Sequence, residues 1–172
     1  KNNIWHRDIK PDNVLVVDNN SNNPKVVLAD FGFAQKFEKD DLCDEFLGTH
    51  EFVAPEIFKM EKYSNKVDIW SLGISCFVML TAKYPTCSYS RNPKRCKMMI
   101  ESGLLNYDLL YDMGKSHEAI DFIKKLCTIV PISRLKADEA LKHPWIVNKS
   151  NLSDTFVSYR SIQTFALEIN EV

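Results

Sequence analysis

Residues 6–13 read His6-Arg7-Asp8-Ile9-Lys10-Pro11-Asp12-Asn13, and the chain on either side is best understood from this stretch outward. Directly after it come Val14 to Val17 and Lys25 to Ala29, two short β-branched-rich runs. Between them lies Asp18 to Pro24, whose Asn, Asp, Ser and Pro residues favour a turn. The pattern predicts a small hairpin. Because the start of one hairpin strand lies beside the end of the other, Asn13 and Asp30 are expected to emerge at one edge.

Residues 31–55 hold no sustained period, contain Gly32 and Gly48, and end at Pro55. They read as a long loop, and such a loop inside a compact domain is usually functional. From Val67 to Leu80, ten of 14 residues are apolar and surround the helical axis, which predicts a helix buried on all sides at the centre of the core. Ile120, Ile123, Leu126 and Cys127 mark a helical face ended by Pro131, and Lys136 to His143 a further helix ended by Pro144. No repeat or low-complexity tract occurs. The motif begins so near Lys1 that no element is expected before His6, and the lack of an initiator Met suggests a piece of a longer protein.

The 172 residues are 45% hydrophobic and 26% charged, as in one ordinary globular domain. With 22 basic residues against 23 acidic ones, no basic stripe points to nucleic acid or an anionic membrane. The five cysteines, at 43, 76, 87, 96 and 127, are odd in number and lack the close pairs of a zinc site. They suggest a reduced, intracellular and cytoplasmic chain. The run from Val67 to Leu80 is too short and interrupted for a membrane span, and no signal peptide is evident.

The stretch 6–13 is followed in order by Asp30-Phe31-Gly32 and Ala54-Pro55-Glu56, with loop-compatible gaps. Together these motifs are far more specific than any one triplet. On them the chain resembles the eukaryotic protein kinase family from Ile4 to Ile146. The resemblance implies a protein-kinase-like α+β fold: a mainly helical C-terminal lobe with a small β-hairpin, the N-terminal lobe being absent. Residues 1–147 would form this partial domain and 148–172 a tail. The implied activity is ATP-dependent phosphorylation of Ser or Thr in protein substrates, with ATP and Mg2+ as cofactors.

That chemistry suits the residues. Phosphoryl transfer needs an oriented hydroxyl and neutralised phosphate charge more than covalent help. By the resemblance, Asp8 accepts or orients the substrate proton and Lys10 contacts the transferring phosphate of the nucleotide. Asn13 and Asp30 offer hard oxygens suited to magnesium shared with phosphates, and Asp30 thereby also belongs to the nucleotide site. Leu15 and Ala29 would line the adenine site, although strand packing explains them equally. Asp68, at the start of the most apolar helix, needs hydrogen-bond partners to be buried. The family places those partners on the catalytic-loop backbone; a dipole-favoured helix acid is the alternative. Glu56 and Arg134 resemble a buried ion pair that anchors the activation segment. Val130 stands where the family usually has Asp before Pro131, which puts the anchoring of that loop in question.

Lys10 and Gly48-Thr49 match the serine/threonine pattern. Residues 51–56, beginning at Glu51, and residues 139–146, beginning at Glu139, resemble the calcium/calmodulin-dependent group, which implies a calcium-sensor regulator. Thr49 and Glu51 fall in the segment facing substrate, where His50 replaces a usual Pro. Asp12 suggests a basic residue upstream of the acceptor, or is simply a solvated loop acid. In the family, Arg7 holds a phosphorylated residue of the activation segment. From Phe33 to Gly48, however, there is no Ser, Thr or Tyr, whereas Glu38, Asp40, Asp41, Asp44 and Glu45 are present. Activation without phosphorylation there is expected, with Arg7 paired to one of these acids or unpaired; a solvated acidic loop is the alternative. Leu152, Phe156, Tyr159, Ile162, Ala166 and Ile169 follow helical spacing, for regulation or for packing. Lys149 and Arg160 are too few basic residues for a calmodulin target.

Two competing functions remain in view. One is an inactive fragment or pseudokinase used as a scaffold, against which stand intact Asp8, Lys10, Asn13 and Asp30. The other is a small-molecule phosphotransferase, disfavoured by Ala54-Pro55-Glu56 and the Asp68 helix. Without a glycine-rich loop, strand lysine and helix glutamate, the 172 residues alone are expected to be poorly active.

Overall fold

A computed structural model of the chain describes residues 3–18, 25–38, 40–86 and 92–148. The strands are β1 (Ile4–Trp5), β2 (Val14–Asp18), β3 (Lys25–Leu28) and β4 (Gln35–Lys36). The helices are α1 (Pro55–Phe58), α2 (Lys66–Thr81), α3 (Pro93–Glu101), α4 (Asp108–Asp112), α5 (His117–Leu126), α6 (Ala137–Ala140) and α7 (Pro144–Val147).

Helix α2 is the hub of the core. Trp70, Ile74, Phe77 and Leu80 on it are all at most 2% exposed. Its polar interruptions are tolerated because each hydroxyl folds back on backbone. Ser71 Oγ donates to the carbonyls of Phe52 and Val67, Ser75 Oγ to that of Ser71, and Thr81 Oγ1 to that of Phe77. Gly73 serves a close crossing: a Cβ there would lie 2.4 Å from Cys127 Sγ and 2.9 Å from Leu126 Cβ. Helix α5 lies against it, burying Ala119, Ile120, Phe122, Ile123 and Leu126. Ser116 caps α5 by accepting from the Ala119 N–H at 3.1 Å.

Strands β2 and β3 form the expected antiparallel hairpin, with Val14 opposite Leu28 and Leu15 opposite Val27. The Ala29 N–H continues the ladder to the Asn13 carbonyl at 2.8 Å, so Asn13 and Asp30 do share an edge. The turn residues 19–24 lie outside the described residues. Leu15, Val16, Val17, Val26, Val27 and Leu28 are all exposed; the hairpin projects from the helical body instead of packing on it.

Several features depart from the sequence reading. An element does precede His6: β1 pairs antiparallel with β4, and Trp5 stacks on Phe37 with ring centroids 3.7 Å apart. Within 31–55, the loop also holds a β-bridge between Cys43 and Tyr63 and a 3-10 turn at His50–Phe52. The helix expected over Lys136 to His143 shrinks to α6. Pro144 does more than end it, since it occupies the first turn of α7, capped by His143 Nδ1 accepting from the Trp145 N–H. Cys43, Cys76, Cys96 and Cys127 are buried free thiols, and burial pushes Cys76 up to about 12. The tail expectation on Leu152 to Ile169 falls outside the described residues, as does Cys87. Among the described residues no helix is long and apolar enough to cross a membrane.

Arg134 clamps the lower body. All five of its guanidinium N–H groups are used. Glu56 accepts two of them at 2.6 and 2.7 Å, and the carbonyls of Lys66, Thr128 and Ile129 accept the others. The Trp70 ring lies 5.1 Å from its Cζ. The loop holding Val130 is thus tied through the Thr128 and Ile129 carbonyls, with no side chain needed at 130. Removing one partner of a buried pair strands the other charge. Glu56→Gln is therefore expected to lower stability by about 3–5 kcal/mol in denaturant titration of the full-length gene product. Lys97→Ala, which breaks the surface Lys97–Glu101 pair, is expected to cost about 0.3–0.5 kcal/mol.

Candidate active site

Asp68, in the first turn of α2, reaches out of the helix to the 6–13 loop. Its Oδ2 accepts from the His6 N–H and its Oδ1 from the Arg7 N–H, both at 2.8 Å. Burial pushes the Asp68 carboxyl up in spite of these two donors. Arg7 is held in the left-handed region, at φ 65°, a strain of about 1–3 kcal/mol. Hydrogen bonds to a charged group, each worth about 1.5–3 kcal/mol, offset it. The His6 ring then spans two elements. Its Nε2 donates to the Ala29 carbonyl at 3.0 Å, its Nδ1 accepts the Asp8 N–H at 3.3 Å, and Phe31 sits edge-on at 4.9 Å.

The loop so fixed presents Asp8 to the segment before α1. Asp8 Oδ1 accepts from the Thr49 N–H at 2.9 Å and the Thr49 hydroxyl at 2.7 Å. The Lys10 ammonium lies 2.9 Å from Asp8 Oδ2 and donates to Thr49 Oγ1 at 2.7 Å. Three side chains close a ring of polar contacts. Gly48 makes the approach possible: at φ 101°, a Cβ would meet the Arg7 carbonyl oxygen at 2.6 Å. Burial alone would raise the Asp8 carboxyl, but the Thr49 hydrogen bonds and the Lys10 charge outweigh it and hold it below the usual carboxylate range. Asp8 is thus an anion at neutral pH.

Asn13 is buried in a 3-10 turn over Pro11–Asn13. Its Nδ2 donates to the Asp8 carbonyl at 2.8 Å and to Asp8 Oδ2 at 3.3 Å, so neither of these bonds uses Oδ1. Asp30 is exposed and left-handed at φ 58°, a conformation Asp tolerates, and its Oδ1 accepts from the Gly32 N–H at 3.2 Å. Among the described residues no three His, Cys, Asp or Glu side chains gather to hold a metal. A carboxamide and a carboxylate are hard oxygen donors of the kind that suit magnesium, and Asn13 and Asp30 are the residues that would hold it.

Arg7 gathers the segment that follows. Its Nε donates to the Phe33 carbonyl at 2.7 Å, Nη2 to Gln35 Oε1 at 3.2 Å, and Nη1 to Glu45 Oε2 at 2.6 Å and Cys43 Sγ at 3.4 Å. Neither Gln35 nor Cys43 carries a sequence signal for this role. The other sequence candidates lie further out: Leu15 and Asp12 are exposed, while Ala29 and Glu51 are half-buried. Tyr84, unremarked in the sequence, feels the charges of two of them. Its hydroxyl is pushed above the tyrosine range by burial and then by the charges of Glu51 and Asp12, and its ring meets Phe52 edge-on at 5.8 Å.

Residues 1–146 match the protein kinase domain family. Ribosomal protein S6 kinase 2 alpha of Gallus gallus is 34% identical over 167 residues, covering 93% of this chain and 22% of its own length. Serine/threonine-protein kinase H1 homolog of Danio rerio is 36% identical over 161 residues, with 92% and 37% covered. Serine/threonine-protein kinase cds1 of Schizosaccharomyces pombe is 36% identical over 157 residues, with 87% and 33% covered. The chain therefore spans well under half the length of these curated relatives.

The lowered Asp8 carboxyl contributes stability that is full above its unfolded value of about 4 and is lost as pH falls through the folded value. Thr49→Val removes the hydroxyl donor while keeping the side chain's shape. Its stability deficit against the wild-type protein is expected to be full near pH 7 and to shrink as pH falls below about 4, measured by denaturation across that range.

Proposed function

Since the chain belongs to the protein kinase domain family, we propose that it supplies the catalytic loop and metal-binding residues of a serine/threonine protein kinase acting on protein substrates with ATP and Mg2+. The observation that carries this reading is the ionised Asp8 carboxylate joined to Lys10 and Thr49 and hydrogen-bonded by Asn13 Nδ2. Asp8 orients a substrate hydroxyl and accepts its proton as the oxygen attacks. The Lys10 ammonium, already within hydrogen-bond reach of Asp8, offsets charge on the transferring phosphoryl oxygens.

Asn13 and Asp30 would hold the magnesium, which would supply positive charge to neutralise the phosphates of the nucleotide. Leu15 and Ala29 flank the base of the nucleotide. Arg7 orders the segment leading to Thr49, and Glu56 with Arg134 ties that segment's end to the helical body. Asp12 and Glu51 favour a basic residue upstream of the acceptor by charge complementarity. The serine/threonine-protein kinases among the relatives support the acceptor type. The motifs at 51–56 and 139–146 support a place near the calcium/calmodulin-dependent group and a calcium-sensor partner. Intact Asp8, Lys10, Asn13 and Asp30 favour transfer over a scaffold role.

The test is Mg-ATP-dependent transfer to a mixed Ser/Thr peptide library by the full-length gene product. Transfer is expected to fall by at least about a hundredfold in Asp8→Asn. A wild-type protein that phosphorylates no peptide overturns the reading.

A further inference from the structure

The β-bridge between Cys43 and Tyr63 fastens the segment before α1 to the chain entering α2. Each residue gives its N–H to the carbonyl of the other, at 2.9 and 2.8 Å. Residues paired in this way across an antiparallel bridge carry their side chains next to one another. Tyr63 is 3% exposed, and its hydroxyl is the one buried side-chain oxygen or nitrogen among the described residues without a hydrogen-bond partner. Burial pushes this hydroxyl above the ordinary tyrosine range; the neighbouring Cys43 adds to the effect and Arg7 opposes it. A buried hydroxyl with no partner is costly, and beside a thiol its explanation is to be sought in the chemistry of the sulfur.

The Cys43 sulfur is set between a donor and an acceptor. Arg7 Nη1 donates to Sγ at 3.4 Å, and the S–H donates to Glu45 Oε2 at 3.6 Å. The Glu45 side chain is 56% exposed, so the sulfur lies one side chain below solvent, within reach of a molecule as small as hydrogen peroxide. Oxidation of cysteine is selective for thiols whose surroundings support negative charge on sulfur and admit the oxidant. The other described thiols are differently placed. Burial pushes both Cys76 and Cys127 up, Cys127 Sγ faces the Trp70 carbonyl at 3.9 Å, and Cys96 Sγ meets the Thr86 hydroxyl at 3.7 Å.

We infer that Cys43 is a site of reversible oxidation by hydroperoxides, and that the Tyr63 hydroxyl holds the sulfenic acid formed there. The sulfur attacks one oxygen of hydrogen peroxide and the O–O bond breaks. The thiol proton passes by way of the Glu45 carboxylate to the other oxygen, which leaves as water. The sulfur loses two electrons and the peroxide gains them, so that thiol and peroxide become sulfenic acid and water. Tyr63 then donates its O–H to the new oxygen. A small thiol restores Cys43 through a mixed disulfide. Because the oxygen is added at the bridge, oxidation acts on the stretch of chain that leads to Thr49.

The experiment compares the full-length gene product with Cys43→Ser and Tyr63→Phe. Each protein is treated with hydrogen peroxide while folded, trapped with a 1,3-dione that alkylates sulfenic acids, and mapped peptide by peptide by mass spectrometry. In the wild-type protein the label at Cys43 is expected to exceed that at Cys76, Cys96 or Cys127 by at least about tenfold. It is expected to vanish when a small thiol precedes the trap, and to be absent from Cys43→Ser. Tyr63→Phe removes an oxygen that has no partner in the reduced protein. Its reduced form is therefore expected to be at least as stable as the wild-type protein in denaturant titration, while its Cys43 sulfenic acid decays severalfold faster once peroxide is removed. Equal labelling of the four thiols, or none at Cys43, overturns the proposal. A sulfenic acid that lasts as long in Tyr63→Phe as in the wild-type protein overturns the role of Tyr63, as does a reduced Tyr63→Phe protein that is less stable than the wild type.

Discussion

The Asp68 carboxylate, placed in the first turn of a helix otherwise sunk in the core, is the contact on which the site depends. It takes two backbone N–H groups from the 6–13 loop, and that pair of bonds holds Arg7 in a left-handed conformation that an unrestrained arginine avoids. From this one constraint the rest is directed. The Arg7 carbonyl faces Gly48, its guanidinium enters the 33–45 segment, and Asp8 is turned toward Thr49 and Lys10. Because α2 is buried along most of its length, Asp68 is carried by an element anchored in the core.

The second fixed point is the Glu56–Arg134 pair. It joins α1 to the start of α2 and to the loop after α5, and every Arg134 guanidinium N–H finds a protein acceptor. Between these two anchors lies the chain that carries Gly48, Thr49 and the His50–Phe52 turn. The site is thus a short stretch of irregular backbone strung between buried charges. Such a stretch can be shaped for a peptide while both of its ends stay fixed.

Much of this was legible in the sequence because it follows from short-range rules. The 14-residue apolar run identified α2, and the two β-branched runs identified the hairpin. Hairpin geometry then brought Asn13 beside Asp30 without any family knowledge. Other features were hidden for physical reasons. A two-residue strand such as β1 has no period to detect, and its pairing with β4 spans some thirty residues of chain. The choice of Glu45 among five acids as the partner of Arg7 depends on where the backbone bends, which no local propensity encodes. Pro144 served equally as a stop for one helix and the first turn of the next, and only the cap by His143 decides between them. At Val130 the loop is tied by Arg134 through the neighbouring Thr128 and Ile129 carbonyls, contacts that do not involve the side chain at 130.

The most direct test of the account is native-state hydrogen exchange at the His6 and Arg7 amides in the full-length gene product, with peptide phosphorylation measured alongside, for the wild-type protein and Asp68→Asn. The substitution keeps the size of the side chain but replaces one acceptor by a donor facing an N–H. The account predicts that both amides exchange only on global unfolding in the wild-type protein, and that Asp68→Asn opens at least one of them locally and lowers transfer. Unchanged protection of both amides in the variant, with transfer intact, would contradict it.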